Sequence, residues 1–153
     1  MTELTPTPAF SLPQPAAALL PHRPPMLFVE SLVAWHGDRS TVQAVLPAGG
    51  ICMAEGRLLP EYFIELIAQA AALGSGYDGL CSGRAARDGM LVGIDGFSMP
   101  SQTVAGRTVR IETAITFRFG AIKLIHGEVY DDQKLLAAGD IKVWEDLGDD
   151  ATR

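Results

Sequence analysis

The stretch PEYFIELIAQAAAL, Pro60 to Leu73, constrains the fold more than any other. Pro60 suits the first turn of a helix, where its missing N–H costs nothing. The residues that follow are rich in Ala, Leu, Ile and Glu, which predicts a helix from Glu61 to about Leu73. Gly74, Gly76 and Gly79 are expected to end it. Apolar residues surround almost the whole axis, and a helix of that kind is buried on nearly all sides. The rest of the chain must therefore supply a wrapping.

The remaining segments read as strands. Leu27 to Ala34 (LFVESLVA) and Ser40 to Leu46 (STVQAVL) flank HGDR, His36 to Arg39, and predict a hairpin. Met90 to Ile94 is a short apolar run of the buried-strand type. In Thr108 to Phe119, Val109, Ile111, Ile115, Phe117 and Phe119 fall on one face, with Thr108, Arg110, Glu112, Thr116 and Arg118 on the other. Ile122 to Tyr130 and Leu135 to Val143 follow, separated by the turn DDQK. The predicted order, β-β-α-β-β-β-β, is an α+β plan with antiparallel strands around one helix.

Glu61, Glu65 and Gln69 recur every four residues and form a narrow polar stripe on the greasy helix. The stripe admits two readings. It is either a thin seam facing solvent or the wall of a small polar pocket. In the second case apolar neighbours would push a carboxyl pKa upward, toward general acid or base work near neutrality.

A net charge of −6 argues against non-specific nucleic-acid binding, which needs a cationic face. No apolar run reaches the ~18 residues of a membrane span. The start, MTELTPTPAFSLPQP, has neither a basic n-region nor a continuous apolar core, so no secretory signal is expected. Residues 1–16 are read as a poorly ordered Pro-rich arm, 17–147 as a single domain and 148–153 as an acidic tail. Cys52 and Cys81 lack metal spacing, and two reduced thiols in a cytoplasmic protein are expected. Trp35 and Trp144 read as packing anchors.

LLPHRPPMLFVE, Leu19 to Glu30, resembles the N-terminal signature of the β-hydroxyacyl-acyl-carrier-protein dehydratases, close to L-P-H-R-x-P-x-L-L-V-D. ELIAQAAAL, Glu65 to Leu73, is similar to the E-A-L-A-Q-A-A of their central helix. VGIDGFSMP, Val92 to Pro100, and AAGDIKVW, Ala137 to Trp144, agree more weakly. The PHRPPM variant is closer to the dehydratase-like subunits of aryl polyene-type clusters. The resemblance implies a hotdog fold, a curved antiparallel sheet wrapped around one long helix. It also implies paired subunits with an acyl tunnel at their interface.

By the same resemblance Glu65 matches the catalytic carboxylate and Gln69 the glutamine beside it. The family's catalytic His stands in G-H-F-P-G-R-P just before the helix. Here that segment reads GGICMAEGRLLP, and the aligned position is Met53 or Ile51, depending on the anchor used. Half of the implied acid–base pair is absent. His22 lies in the PHRPP turn, at a place that is not catalytic in the family. His36 is expected at a hairpin tip and His126 on the outer face of a strand.

Glu65 is thus the catalytic candidate, and Gln69, Met53, Cys52 and Gly93 are the substrate-contact candidates. Cys52 lies in the loop that lacks the His, near a helix N-terminus that can activate a thiolate; flanked by Ile51 and Met53, it reads far more readily as a small core residue. Arg84 and Arg87, in SGRAARDG, are candidates for docking an acidic carrier protein or a phosphopantetheine phosphate.

Three functional classes follow. The first is a 3-hydroxyacyl-thioester dehydratase of fatty-acid or polyene synthesis. The second is an acyl-CoA thioesterase using Glu65 alone. The third is a non-catalytic acyl-binding or partner subunit of a second dehydratase. A homodimer is expected, with a heteromer as the alternative. No metal or organic cofactor is implied; phosphopantetheine arrives with the substrate.

Overall fold

The computed structural model describes residues 10–85 and 87–148. Within it a seven-stranded antiparallel sheet curves around one long helix. Strand β1 is Gln14–Pro15 and α1 is Ala16–Leu19. Strands β2 (Ser31–His36) and β3 (Arg39–Val45) form the hairpin, turning at Gly37-Asp38. A small hairpin of β4 (Met53–Ala54) and β5 (Arg57–Leu58) leads into α2 (Pro60–Cys81). Strands β6 (Gly89–Ser98), β7 (Thr108–Phe119), β8 (Ile122–Asp131) and β9 (Lys134–Glu145) complete the chain. The sheet order is β1-β2-β3-β7-β8-β9-β6. This is the hotdog arrangement.

The helix is longer than its glycines suggested. It runs 22 residues, straight through Gly74, Gly76 and Gly79. Close packing explains why. A Cβ at Gly74 would stand 2.1 Å from the Ser40 hydroxyl oxygen, and one at Gly76 would stand 3.1 Å from the Leu19 carbonyl oxygen. These glycines let α2 lie against the sheet and α1, and that packing outweighs their poor helix propensity. The stop comes at Gly83, at φ +68°, where Gly83 N–H bonds the Leu80 carbonyl and Arg84 N–H bonds the Gly79 carbonyl.

Leu66, Ile67, Leu73 and Tyr77 of α2 are fully buried against Leu32, Val42, Ile111 and Leu136 of the sheet. Each such side chain contributes roughly 1.5–3 kcal/mol of transfer free energy. Gly127 of β8 allows the closest approach, since a Cβ there would meet Ile67 Cγ2 at 2.3 Å. The Tyr77 hydroxyl donates to the Phe10 carbonyl at 2.6 Å, and the Tyr77 ring packs edge-on against Trp35. Chain order therefore begins earlier than the expected boundary at residue 17. Gln14 and Pro15 pair with Leu32 and Ser31. Of the expected arm, residues 1–9 lie outside the described residues, as do 149–153 of the expected tail.

Burial around α2 is not complete. Ile64, Glu65, Ala68 and Ala72 are only half-buried and Glu61 is exposed. Their spacing places them along one side of the helix. Strand β6 departs further from expectation. The run Met90–Ile94 has the composition of a buried strand, yet Met90 is 60%, Val92 47% and Ile94 48% exposed. β6 is an edge strand, paired among the described residues only with β9, and no described residue covers its outer edge. The expected face of β7 also breaks late. A bulge between Ile115 and Phe117 leaves Phe117 and Phe119 exposed.

Candidate functional site

The segment before β2 folds into a turn tied by Arg23. Its guanidinium donates to the carbonyls of Leu20, His22 and Ala17 at 2.8, 2.7 and 3.2 Å. The Arg23 carbonyl in turn accepts from Met26 N–H at 2.9 Å. This turn aims the Met26 carbonyl and the Phe28 amide at the middle of α2. Leu27 to Glu30 are thus a loop here, not the start of a strand as the pattern suggested.

Gln69 receives both groups. Its Oε1 accepts from Phe28 N–H at 2.9 Å, and its Nε2 donates to the Met26 carbonyl at 2.8 Å and to Glu65 Oε1 at 3.0 Å. The Gln69 side chain is buried, and every hydrogen bond it forms is to the loop or to Glu65. The Gln69 amide therefore fixes one Glu65 oxygen in place. The Glu65 side chain remains 36% exposed, and its other neighbour is His22, with Nε2 3.9 Å away. That separation is an ion-pair distance, too long for a hydrogen bond.

The polar stripe resolves into a graded series: Glu61 exposed, Glu65 partly exposed, Gln69 buried. Four residues advance a helix by one turn plus about 40°, so the stripe winds from solvent into the core. Neither expected reading holds for all three residues.

A cavity of about 160 Å³ lies toward the N-terminal end of α2. Tyr62, Cys52, Phe28, Ile51, Val45 and Leu27 are among its walls. Glu65 is not, so in the isolated chain the carboxylate lies beside this space and outside it. Burial raises the Cys52 thiol pKa, which keeps it protonated and ill-suited to nucleophilic attack. Cys52 serves as a wall.

The other candidates are placed as follows. Met53 sits half-buried in β4. Gly93 lies on the β6 edge, paired with Lys142 of β9, whose Cβ would be 3.5 Å from an added Cβ. Arg84 is ion-paired with Asp78 at 2.5 Å beyond the far end of α2. Glu65 and Cys81 are about 24 Å apart along the helix axis. Arg87 is near enough to Glu145 to help lower its pKa. His36 ends β2 beside the hairpin turn. His126 stands on β8 between Asp140, 2.8 Å from Nδ1, and Glu128, 2.9 Å from Nε2. Among the described residues, no three His, Cys, Asp or Glu side chains converge as metal ligands, and no helix is long and apolar enough to cross a membrane.

The sequence pattern did not bring His22 beside Glu65, where the structure places it. The L-P-H-R match pointed to a turn, but not to the helix position it would meet.

Residues 14–152 match the ApeP-like family, described as ApeP dehydratase. The chain belongs to the ApeP-like dehydratase family. No curated protein matches the sequence. Among solved structures, the dehydratase heterocomplex ApeI:P from Xenorhabdus doucetiae contains a chain that superposes with a TM-score of 0.77 at 21% identity, over 86% of this chain and 91% of that one. An HP0420 homologue from Helicobacter felis matches with a TM-score of 0.60 at 13% identity, over 84% of this chain and 97% of that one. A hypothetical thioesterase with coenzyme A from Streptococcus pneumoniae gives a TM-score of 0.56 at 9% identity, over 74% and 83%. These likenesses share the hotdog fold. Within this ApeP-like chain, Glu65 on Gln69 is the one carboxylate held by a buried amide on the central helix.

Proposed function

We propose that this ApeP-like chain is the carboxylate-bearing half of a 3-hydroxyacyl-thioester dehydratase. A second, His-bearing dehydratase of the same fold completes the site. The observation that carries the reading is the state of Glu65. One oxygen is anchored by Gln69, the side chain opens outward, and the only imidazole nearby stands 3.9 Å away in a different loop.

Dehydration of a 3-hydroxyacyl thioester needs a base for the α-proton and an acid for the departing hydroxyl. Glu65, held by Gln69, suits the acid's place. Deprotonation at the α-carbon breaks the C–H bond, the electron pair forms the double bond, and the 3-hydroxyl leaves as water with a proton from the carboxyl group. The base is assigned to the partner, because the loop from Gly49 to Pro60 holds no His. Two surfaces support a partner. The half-buried Ile64, Ala68 and Ala72 flank Glu65 on α2, and the β6 edge presents unpaired backbone with exposed apolar side chains. The ApeI:P heterocomplex is a precedent for pairing in this fold.

The test is hydration of an enoyl thioester, the reverse reaction, by the chain alone and co-purified with a His-bearing homologue. Activity confined to the complex supports the proposal. Release of free thiol from acyl-CoA by the chain alone would replace it with hydrolysis.

A further inference from the structure

The strand registers gather apolar side chains on the outer face of the sheet, away from α2. Phe119 of β7 pairs with Ile122 of β8, Ile122 with Trp144 of β9, and Trp144 with Met90 of β6. In the next row Phe117 stands opposite Leu124, and Leu124 opposite Lys142. Arg118 and Lys123 line the space between α2 and the sheet, so the residues that alternate with them point outward. Phe119 is 75%, Phe117 55% and Trp144 37% exposed. The bulge between Ile115 and Phe117 makes this patch. Unbroken alternation would send both phenylalanines inward with Val109 and Ile111, and the extra residue turns them out. The rest of the same face is polar, with Arg110 paired to Glu112 and His126 to Asp140 and Glu128. One part of the face suits water and the other does not.

Neither surface assigned to the His-bearing partner covers this patch. β7 lies three strands from β6, about 14 Å across the sheet, and the flank of α2 is on the sheet's other side. Phe119, Phe117, Trp144 and Met90 together present on the order of 500 Å² of apolar surface, toward the upper end of what a monomer leaves open. Two such faces bury about 1,000 Å² before any rim is counted, the size at which a specific interface begins. Charge favours an identical face over a lipid one. Lys142 adjoins the patch, Asp140 stands two residues away on the same strand and face, and the chain carries a net charge of −6. An anionic bilayer calls for a basic surround, whereas a two-fold axis lets each copy offer both signs to the other.

We propose that a second copy of this chain docks on this patch, outer face against outer face about a two-fold axis. Each copy keeps its α2 flank and β6 edge free for a His-bearing partner, so two such pairs can stand back to back. The proposal goes beyond the dehydratase reading and uses no residue of the Glu65 site.

The experiment is sedimentation velocity across a range of concentrations on the full chain carrying Ile94→Lys, which opposes pairing through β6 and isolates the outer face. This variant should still dimerise as concentration rises. Adding Phe119→Ser, or Phe117→Ser as a second variant, should weaken dimerisation by about tenfold or more. Thermal melts at a concentration where all variants are monomeric should stay unchanged, because both side chains are open to solvent in the single chain. An Ile94→Lys chain that remains monomeric throughout overturns the proposal, as does dimerisation indifferent to both serine substitutions. Flotation of the wild-type chain, but not of Phe119→Ser, with phosphatidylglycerol–phosphatidylethanolamine vesicles would assign the patch to lipid and overturn it. So would loss of the His-bearing homologue in Phe119→Ser with self-association intact. Enoyl-thioester hydration is no part of the readout, so failure here and failure of the dehydratase reading are told apart.

Discussion

Gln69 holds Glu65 across one turn of the central helix, donating to its Oε1 at 3.0 Å while the same amide nitrogen donates to the Met26 carbonyl at 2.8 Å. A single buried side chain thus locks the PHRPP loop to the helix and sets the carboxylate's orientation.

Gln69→Leu is expected to fold less stably by about 3 kcal/mol. It keeps the volume but leaves the Phe28 N–H and the Met26 carbonyl without partners, each costing about 1–3 kcal/mol when buried. Urea denaturation measures the loss. A change under about 0.5 kcal/mol would mean that water replaces the amide.

Gly74→Ala should destabilise by about 1–3 kcal/mol, since the new methyl lands 2.1 Å from the Ser40 hydroxyl oxygen. Combining it with Ser40→Ala removes that atom and should restore most of the loss. Non-additivity in the double-mutant cycle is the readout, and simple addition of the two effects would deny the contact.

The outer face of the sheet should make stability depend on pH. The Asp140 hydrogen bond, opposed by partial burial and helped by Glu128, raises the His126 pKa above its ordinary value of 6.5. Protonated His126 therefore stabilises the fold. That contribution is fully present below pH 6.5 and fades as pH rises through the raised value. The Glu128 pKa is lowered, first by the Tyr130 hydroxyl, so its contribution is present above the ordinary value of 4.5 and fades as pH falls through the lowered one. Thermal melts across pH should show wild type more stable than His126→Gln below pH 6.5, with the two converging at high pH. A constant offset would contradict the assignment.

Ile94→Lys should leave the isolated chain folded, because Ile94 is already 48% exposed on the edge strand. Association with any partner that extends the sheet should weaken strongly, since a charge there opposes strand pairing. Sedimentation velocity of mutant and wild type, alone and with the His-bearing homologue, reports this. Unchanged association would place the interface elsewhere.

The sequence made much of the fold legible through periodicity. Thr108–Phe119 alternates and forms β7, and the apolar helix occupies the middle of the sheet. Composition could not say what would be left uncovered. Met90–Ile94 has the makeup of a buried strand, but no described residue covers it, and composition alone cannot report that exposure. Glycine spacing misled at Gly74 and Gly76 because close packing and helix termination call for the same residue. At the site, Glu65 and Gln69 were visible from the E-L-I-A-Q spacing.

The most direct test of the central claim is enoyl-thioester hydration by three samples: this chain alone, its complex with a His-bearing dehydratase, and the same complex carrying Glu65→Gln in this chain. The partly exposed Glu65 makes that substitution nearly neutral for stability, so the complex should still form. The account predicts no turnover from the chain alone, turnover from the complex, and a loss of about 100-fold or more with Glu65→Gln. Full activity of the Glu65→Gln complex would contradict it.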